Sequence, residues 1–521
     1  MPELTDELTG DHTDQRLRAL LDISVSDVRE SAGRHEYDGK IQDLSIDGVK
    51  QALRRVGPSS HAPSAATPVL DPHDEAHLSA FEESALVRFG ELELHRRNPL
   101  IHAENLDLSC YDRPYAPDDI RREARRAHLA QWPDAVDMAC ESLDLVPAPV
   151  ATALLSAVRG LKDSITAGEA GGDAALAAHA RLVEHVEQLA RSGAPEIALG
   201  RTALERLMGA DEAIPDVNLS DLTMRASAER VRLRAMLDDG CAQWAPGVKT
   251  AETVATLMAT HPSAADVVSV ATTMTKETID YCRARGWLSH LDGECRVGLA
   301  PPSRRWAVAM LTWSAPYEAD GPSQYDITPP EPHWPRDEQD EWLTMFSDMA
   351  LPAVTTHEVA PGHFAHGRAL RHAPTDVRRS LIGAGFAEGW AHYGEELMLE
   401  EGFRNQDARY QIGVALEGLV RLTRLSCAIG LHTGALTVAE ATELFVNDAL
   451  LSEAGARSEA GRGTFDPTYG IYTWGKWLIT DARDAARDAW GSSFSLRRFH
   501  DALFELGSPP LGLLDAAVHR G

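Results

Sequence analysis

"HEVAPGHFAH", residues 357 to 366, decides how this chain is read. In the HExxH zinc motif, two histidines four residues apart share one helical face. Both imidazoles then reach one metal, and the glutamate between them acts on its water. Here the second histidine arrives late. His357 and His363 stand six residues apart, which on an undistorted helix leaves their rings roughly 120° apart around the axis. The residues between them supply a remedy. Pro361, four after His357, would crowd the His357 carbonyl inside a helix and cannot donate the backward hydrogen bond. Gly362 adds backbone freedom at the same point. The spacing therefore predicts a wide turn or bulge that rotates His363 back towards the face of His357.

A third ligand is sought on a following helix, and "GAGFAEGWAHYGEELMLEEG", residues 383 to 402, offers one. Glu388, His392 and Glu395 fall at i, i+4 and i+7 on one stripe, among the apolar Phe386, Trp390 and Leu397 that would bury the helix. Acidic and imidazole groups on a buried stripe require partners, and a metal is one. The competing reading is a chance "HE" at a surface helix end. Taken singly, His366, His372 and His392 suit structural or supporting roles, and His366, three residues after His363, is the chief rival for the metal. Of the acidic cluster Glu395, Glu396, Glu400 and Glu401, only Glu395 shares the Glu388 stripe, where it would orient a ligand. The rest read partly as a solvated face.

Further on, in "YGIYTWGKWLITDARDAAR" (469 to 487), Tyr472, Lys476, Ile479 and Arg483 share one helical face, while Ile471, Trp474, Leu478 and Ala482 form another that reads as core. The Tyr472 hydroxyl would stabilise a tetrahedral oxyanion, and Lys476 or Arg483 would hold a substrate carboxylate. A salt-bridged helix using Asp481 and Asp484 is the equal alternative. Thr437 and Glu440 have capping-box spacing and mark a helix start. His432 precedes them at a turn and reads as structural.

The whole chain sets the bounds. Its 521 residues carry 50 Lys and Arg against 79 Asp and Glu, a net charge of −29 that repels phosphate backbones and argues against a nucleic-acid partner. No window approaches the roughly 18 apolar residues of a membrane span. "MPELTDELTG" at the N-terminus lacks the basic and apolar regions of a signal peptide, so the expected location is cytoplasmic. Six scattered cysteines without a CxxC pair suggest buried thiols, neither a zinc ribbon nor a disulfide framework.

Helical spacing dominates, so the fold expected is mainly α. "RVGPSSHAPSAATPVLDP" (55 to 72) reads as a loop, and "TAGEAGGDAA" (166 to 175) as a second break. Long amphipathic stretches such as "SDLTMRASAERVRLRAMLDDG" read as helices with solvated charged faces. From residue 287 turns, aromatics and prolines replace the helical rhythm, and a small β-sheet is expected near residues 305 to 328. Within it, Gln324 to Thr328 reads as a strand ended by Pro329 and Pro330, equally readable as a surface loop. Such a strand beside a metal site would bind an extended peptide by edge pairing. The expected organisation is an N-terminal arm and linker (1–75), a helical region forming part of a cleft wall (76–286) and a metal-binding region (287–521), all in one compact body. So large a helical surface would also accommodate a homodimer, though no patch marks one.

The blocks "HEVAPGH", "FAEGWAHYGEEL", "GLHTGALT", "EAGRGTFDPTY" and "YTWGK" resemble those of the bacterial family called domain of unknown function 885, grouped with HExxH-type zinc metallopeptidases. They cover roughly residues 300 to 510, and "RRNPLIHAENLDLSCYDRPYAP" is a weaker echo. The resemblance implies that His357 and His363 are the two histidine ligands, Glu358 the catalytic glutamate and Glu388 the third ligand. It also places the "YTxGK" block, hence Tyr472, near the site. Two imidazoles and a carboxylate leave one tetrahedral zinc ion an open position for water. Phe364, Ala365 and His366 depart from the family's commoner pattern of a bulkier aliphatic followed by Gln. That departure touches pocket shape and leaves manganese, cobalt or iron as alternatives to zinc.

These expectations combine into a large helical zinc-metallopeptidase-like body with a deep cleft and a small sheet. It would hydrolyse amide bonds in short peptides, as a carboxypeptidase if Lys476 and Arg483 face the metal. The alternatives are an amidohydrolase acting on a small metabolite, and a non-hydrolytic or non-catalytic metal-binding protein on the same fold.

Overall fold

The computed structural model describes residues 15–57, 71–301, 304–305, 307–331 and 333–521. Helices make up 68% of it and strands 3%, so the architecture is mainly α as expected. The loop expected at 55 to 72 lies largely outside the described residues. The break at 166 to 175 falls where a 3-10 turn ending at Ser164 gives way to a helix beginning at Gly172.

The sheet has three strands: β1 (Cys295–Leu299), β2 (Ala309–Thr312) and β3 (Ser323–Ile327). β3 lies in the middle, parallel to β1 with Cys295 opposite Ser323, and antiparallel to β2 with Ala309 opposite Ile327. The strand expected from Gln324 to Thr328 thus forms one residue earlier, and the sheet starts at residue 295. β1 was hidden because "CRVGL" has a mid-strand glycine and no clean alternation; tertiary pairing, more than local propensity, makes it a strand.

Seven helices frame the region of interest. They are α1 (Leu219–Trp244), α2 (Ala350–Glu358), α3 (His363–Leu370), α4 (Ala384–Glu400), α5 (Ala408–His432), α6 (Glu453–Phe465) and α7 (Ile471–Trp490). α5 packs along α1, α4 along α7, and α2 is wedged between α4 and α5 with β2 at its side. One apolar cluster runs through them all, from Leu204 to Ala517, and includes fully buried Phe364, Phe386, Trp390 and Ile412. Burial of that kind supplies the main driving force, about 1.5–3 kcal/mol for each large apolar side chain. A separate cluster joins Leu106 to Val186. Leu17, Leu20, Leu21 and Tyr37 pack with Leu78, Val377 and Leu381, which docks residues 15–57 against the helices that precede α4.

α4 and α7 cross with almost no space between their backbones. A Cβ on Gly389 would lie 2.5 Å from the Gly475 Cα, and one on Gly475 would lie 2.2 Å from the Gly385 carbonyl oxygen. Only glycines permit that approach. It draws the first turns of α7, with Tyr472, alongside Glu388. At the start of the helix Val438–Ala449, Thr437 and Glu440 form the expected capping box. His432 is the last residue of α5, not a turn residue, and its Nε2 bonds the Gly463 carbonyl at 2.9 Å.

Candidate metal centre

The wide turn expected between the two histidines is a full break. α2 ends at Glu358, four residues change direction through a cis Ala360–Pro361 peptide, and α3 begins at His363 itself. Pro361 cannot extend α2, so the loosening inferred from it goes to completion. The connection is tightly held. The Gly362 N–H donates to the Thr356 carbonyl at 3.2 Å, and the Trp390 Nε1–H donates to the Pro361 carbonyl at 2.7 Å. A Cβ on Gly362 would stand 1.8 Å from the His357 carbonyl oxygen, so no other residue fits there.

The break puts His357 and His363 at the meeting point of two helices, with ring centroids 4.8 Å apart and planes at 86°. Glu388 completes the group from α4. Its Oε2 lies 3.4 Å from both the His357 Nε2 and the His363 Nε2, and ligand atoms of the three residues all lie within 4.8 Å of one another. Two ligands bound to zinc at roughly 2.0–2.1 Å with tetrahedral angles stand about 3.3–3.4 Å apart. The donor set and its spacing therefore fit that ion. The buried Glu388 Oε2 also lacks a hydrogen bond of good geometry among the described residues, which a cation would remedy.

Behind His357 lies a charged support. Its Nδ1 is 2.8 Å from Glu395 Oε1, which sets Nδ1 as the protonated nitrogen and leaves Nε2 free to face Glu388. Arg421 on α5 grips the other Glu395 oxygen at 3.1 Å, and Tyr410 donates to the Glu395 carbonyl at 3.0 Å. Burial raises the Glu395 carboxyl, but Arg421 and His357 outweigh it and hold the group below the usual carboxylate range. Burial and Arg421 push the His357 imidazole down, while Glu388 and Glu395 outweigh them and lift it to about 9. Glu388 is likewise held well below its ordinary value: burial opposes ionisation, and His363 and His357 overcome it.

The remaining expected residues separate into two sets. Tyr472 comes to the site, its ring stacked 6.2 Å from His357 at 20°. Burial, then the Glu388 charge, raises its phenol, so it stays protonated at neutral pH. Glu358 is 8% exposed and takes no hydrogen bond or ion pair among the described residues. Lys476 and Arg483 go elsewhere. Lys476 pairs with Glu229 on α1 and Glu396 on α4, and Arg483 with Glu400 at 2.8 Å. That is the salt-bridged helix of the alternative reading, and Arg483 also lies 3.9 Å from Asp484. Asp481 serves Arg225, and Asp484 chiefly serves Arg487.

His366 and His392 also stay out of the donor group. His366 is fully buried between Phe504, Phe386 and Trp313, and burial drives its imidazole to about 3. His392 is buried 3.7 Å from Glu395, with its imidazole lowered to about 4, first by burial. His372 is exposed and stacks on His290.

Four contributors escaped the sequence reading. Trp313, just after β2, packs beside His363 at 6.4 Å and is fixed by its Nε1–H to the Ser31 carbonyl at 2.8 Å. Arg421 supports Glu395, and Arg424 and Arg462 lie over the Tyr472 ring. Arg421 and Arg424 are spaced i, i+4 and i+7 from Glu417 along α5, a signal that helical periodicity alone could have raised.

No functionally curated protein matches this chain. Two solved structures share its fold. One, from Shewanella oneidensis and provisionally described as a lipoprotein of unknown function, is 19% identical, covers 96% of this chain and 97% of its own, and has a TM-score of 0.72. The other, from Colwellia psychrerythraea and provisionally described as a lipoprotein, is 15% identical, covers 97% and 99%, and has a TM-score of 0.77. Among the described residues no helix is long and apolar enough to cross a membrane. The family profile described as "Bacterial protein of unknown function (DUF885)" matches residues 29–518, and the chain belongs to that family.

Proposed function

We propose that this protein is a zinc-dependent peptidase that hydrolyses amide bonds in short peptides. The observation that carries the reading is the convergence of His357, His363 and Glu388 within 4.8 Å of one another, with Glu388 3.4 Å from each imidazole, and with a carboxylate, Glu358, unpaired among the described residues, directly following the first ligand. Bound there, a zinc ion would lower the pKa of a water molecule and polarise a carbonyl. Glu358 accepts the water's proton and passes it to the leaving amine, a role suited to a carboxylate with no competing partner among the described residues. Tyr472, kept protonated, donates its hydroxyl hydrogen to the oxygen that becomes negative when the carbonyl is attacked. Glu395 and Arg421 hold the His357 ring in the orientation that presents Nε2. β2 is an edge strand, paired to β3 on one side and to no strand among the described residues on the other, an arrangement that suits alignment of an extended substrate.

The test is mass spectrometry of a mixed peptide library incubated with zinc-loaded protein, beside Glu358→Gln. Trimming by the wild type alone supports the reading, and the cleavage sites report exo or endo action. Bound metal with no cleavage by either protein sinks it and turns the search to amides of small metabolites. Cell fractionation tests the cytoplasmic location proposed.

A further inference from the structure

Beyond Tyr472 lies a cationic wall that the reading above does not use. Arg424 on α5 has its Cζ 5.1 Å from the Tyr472 ring centroid, and Arg462 on α6 has its Cζ 6.0 Å away. Both are ion-paired, Arg424 to both oxygens of one carboxylate and Arg462 to a single oxygen of another. Arg424 gives Nε and Nη2 to the two oxygens of Glu459, at 2.8 and 2.7 Å. Arg462 gives Nε and Nη2 to a single oxygen of Asp466, at 3.2 and 3.0 Å. Among the described residues neither Nη1 is committed to a carboxylate, and the Arg462 side chain is 35% exposed while Arg424 is 16% exposed. Glu417, the remaining acidic group on this face of α5, is turned to Arg421 at 3.3 Å, and burial raises its carboxyl above the ordinary range.

Tyr472 thus touches both groups, with the His357 ring and the two guanidinium groups all close to its own ring. Its ring is 6.2 Å from that of His357, and the span onward to the arginines is one that one or two residues of extended chain cover at about 3.3–3.6 Å each. A planar anion at that distance is what paired guanidinium edges recognise. We propose that Arg424 and Arg462 form the subsite for the free C-terminal carboxylate of a short peptide, an inference that rests on the peptidase reading. Lys476 and Arg483 are not that subsite, because their contacts are with Glu229, Glu396, Glu400 and Tyr393, whereas Arg424 and Arg462 lie against Tyr472.

The experiment is isothermal titration calorimetry with N-acetyl-glycyl-phenylalanine as free acid and as amide. The proteins are Glu358→Gln loaded with zinc and the same protein stripped of metal, so that a carboxylate sitting on the ion is told apart from one held by arginine. The expected result is that the acid binds about 10- to 100-fold more tightly than the amide in both forms, the range for a charge-assisted pair. Adding Arg462→Gln should abolish the preference, and Arg462→Lys should restore part of it. Equal binding of acid and amide, binding of neither, or a preference that survives Arg462→Gln overturns the proposal. A preference lost with the metal also overturns it. If the acid preference stands while wild-type protein cleaves no peptide, the carboxylate site survives and the peptidase reading falls.

Discussion

The two histidines of the candidate centre are held by opposite means. His357 is fixed through its side chain: Nδ1 meets Glu395, and Glu395 meets Arg421. His363 is fixed through its backbone. Its Nδ1 is buried without a hydrogen-bond partner among the described residues, and its place follows from the Gly362 turn, the Trp390 bond to Pro361 and the packing of Trp313. One ligand is therefore sensitive to charge, the other to shape. A site built this way tolerates loss of one kind of support only at the ligand that does not depend on it.

The largest effect expected belongs to neither histidine. Glu358→Gln should lower kcat by about 10²–10⁴ while zinc content, read by atomic emission, stays unchanged. A matching fall in zinc would show that Glu358 helps to hold His357. Next, Gly362→Ala attacks the shape-held ligand. Its Cβ collides with the His357 carbonyl, so thermal melting should drop by more than about 5 °C and zinc stoichiometry should fall well below one. Retention of both would break the comparison at its backbone half. Glu395→Gln attacks the charge-held ligand and should weaken zinc binding by about 10- to 100-fold, measured by competition with a chelator, with little change in melting of the zinc-saturated protein.

The smallest effect concerns acid. His500 lies against Trp390, the residue that anchors Pro361; it donates or accepts at both nitrogens, to the Trp287 carbonyl and from the Tyr393 hydroxyl. Burial holds its imidazole at about 3, below the ordinary 6.5. The unfolded chain therefore binds a proton that the folded one refuses. The stability linked to this group is complete above pH 6.5 and is lost as pH falls towards 3, at about 1.4 kcal/mol per pH unit. Melting curves between pH 7 and pH 4.5 should be flatter for His500→Gln than for the wild type. Equal slopes would remove His500 from the acid response.

What was legible in advance was local. The break between His357 and His363 follows from Pro361 and Gly362, and the direction of Glu388 and Glu395 from the i and i+7 spacing on one helix. The helical class is legible in the same periodicities. What escaped depends on partners distant in the chain. Lys476 is turned from the site by Glu229, 247 residues away, and Trp313 is set by Ser31, 282 residues away. Charge pattern on a single helix shows that a residue wants a partner, and it does not show which one. β1 was missed for a related reason, since a strand is completed by its neighbour.

The bare backbone contact between Gly389 and Gly475 bears on how such a protein diversifies. A side chain can grow or shrink to retune a pocket, but a wall made of touching main chain has no adjustable part. Glu388 and Tyr472 are thus effectively a single rigid module, to be transplanted or lost together. Under the proposed function, variation in substrate range has to come from the other walls, where Trp313 beside His363 and Arg462 beside Tyr472 carry side chains that substitution can change. Comparing relatives at those two positions is the shortest route to sorting them by substrate if the proposed function holds.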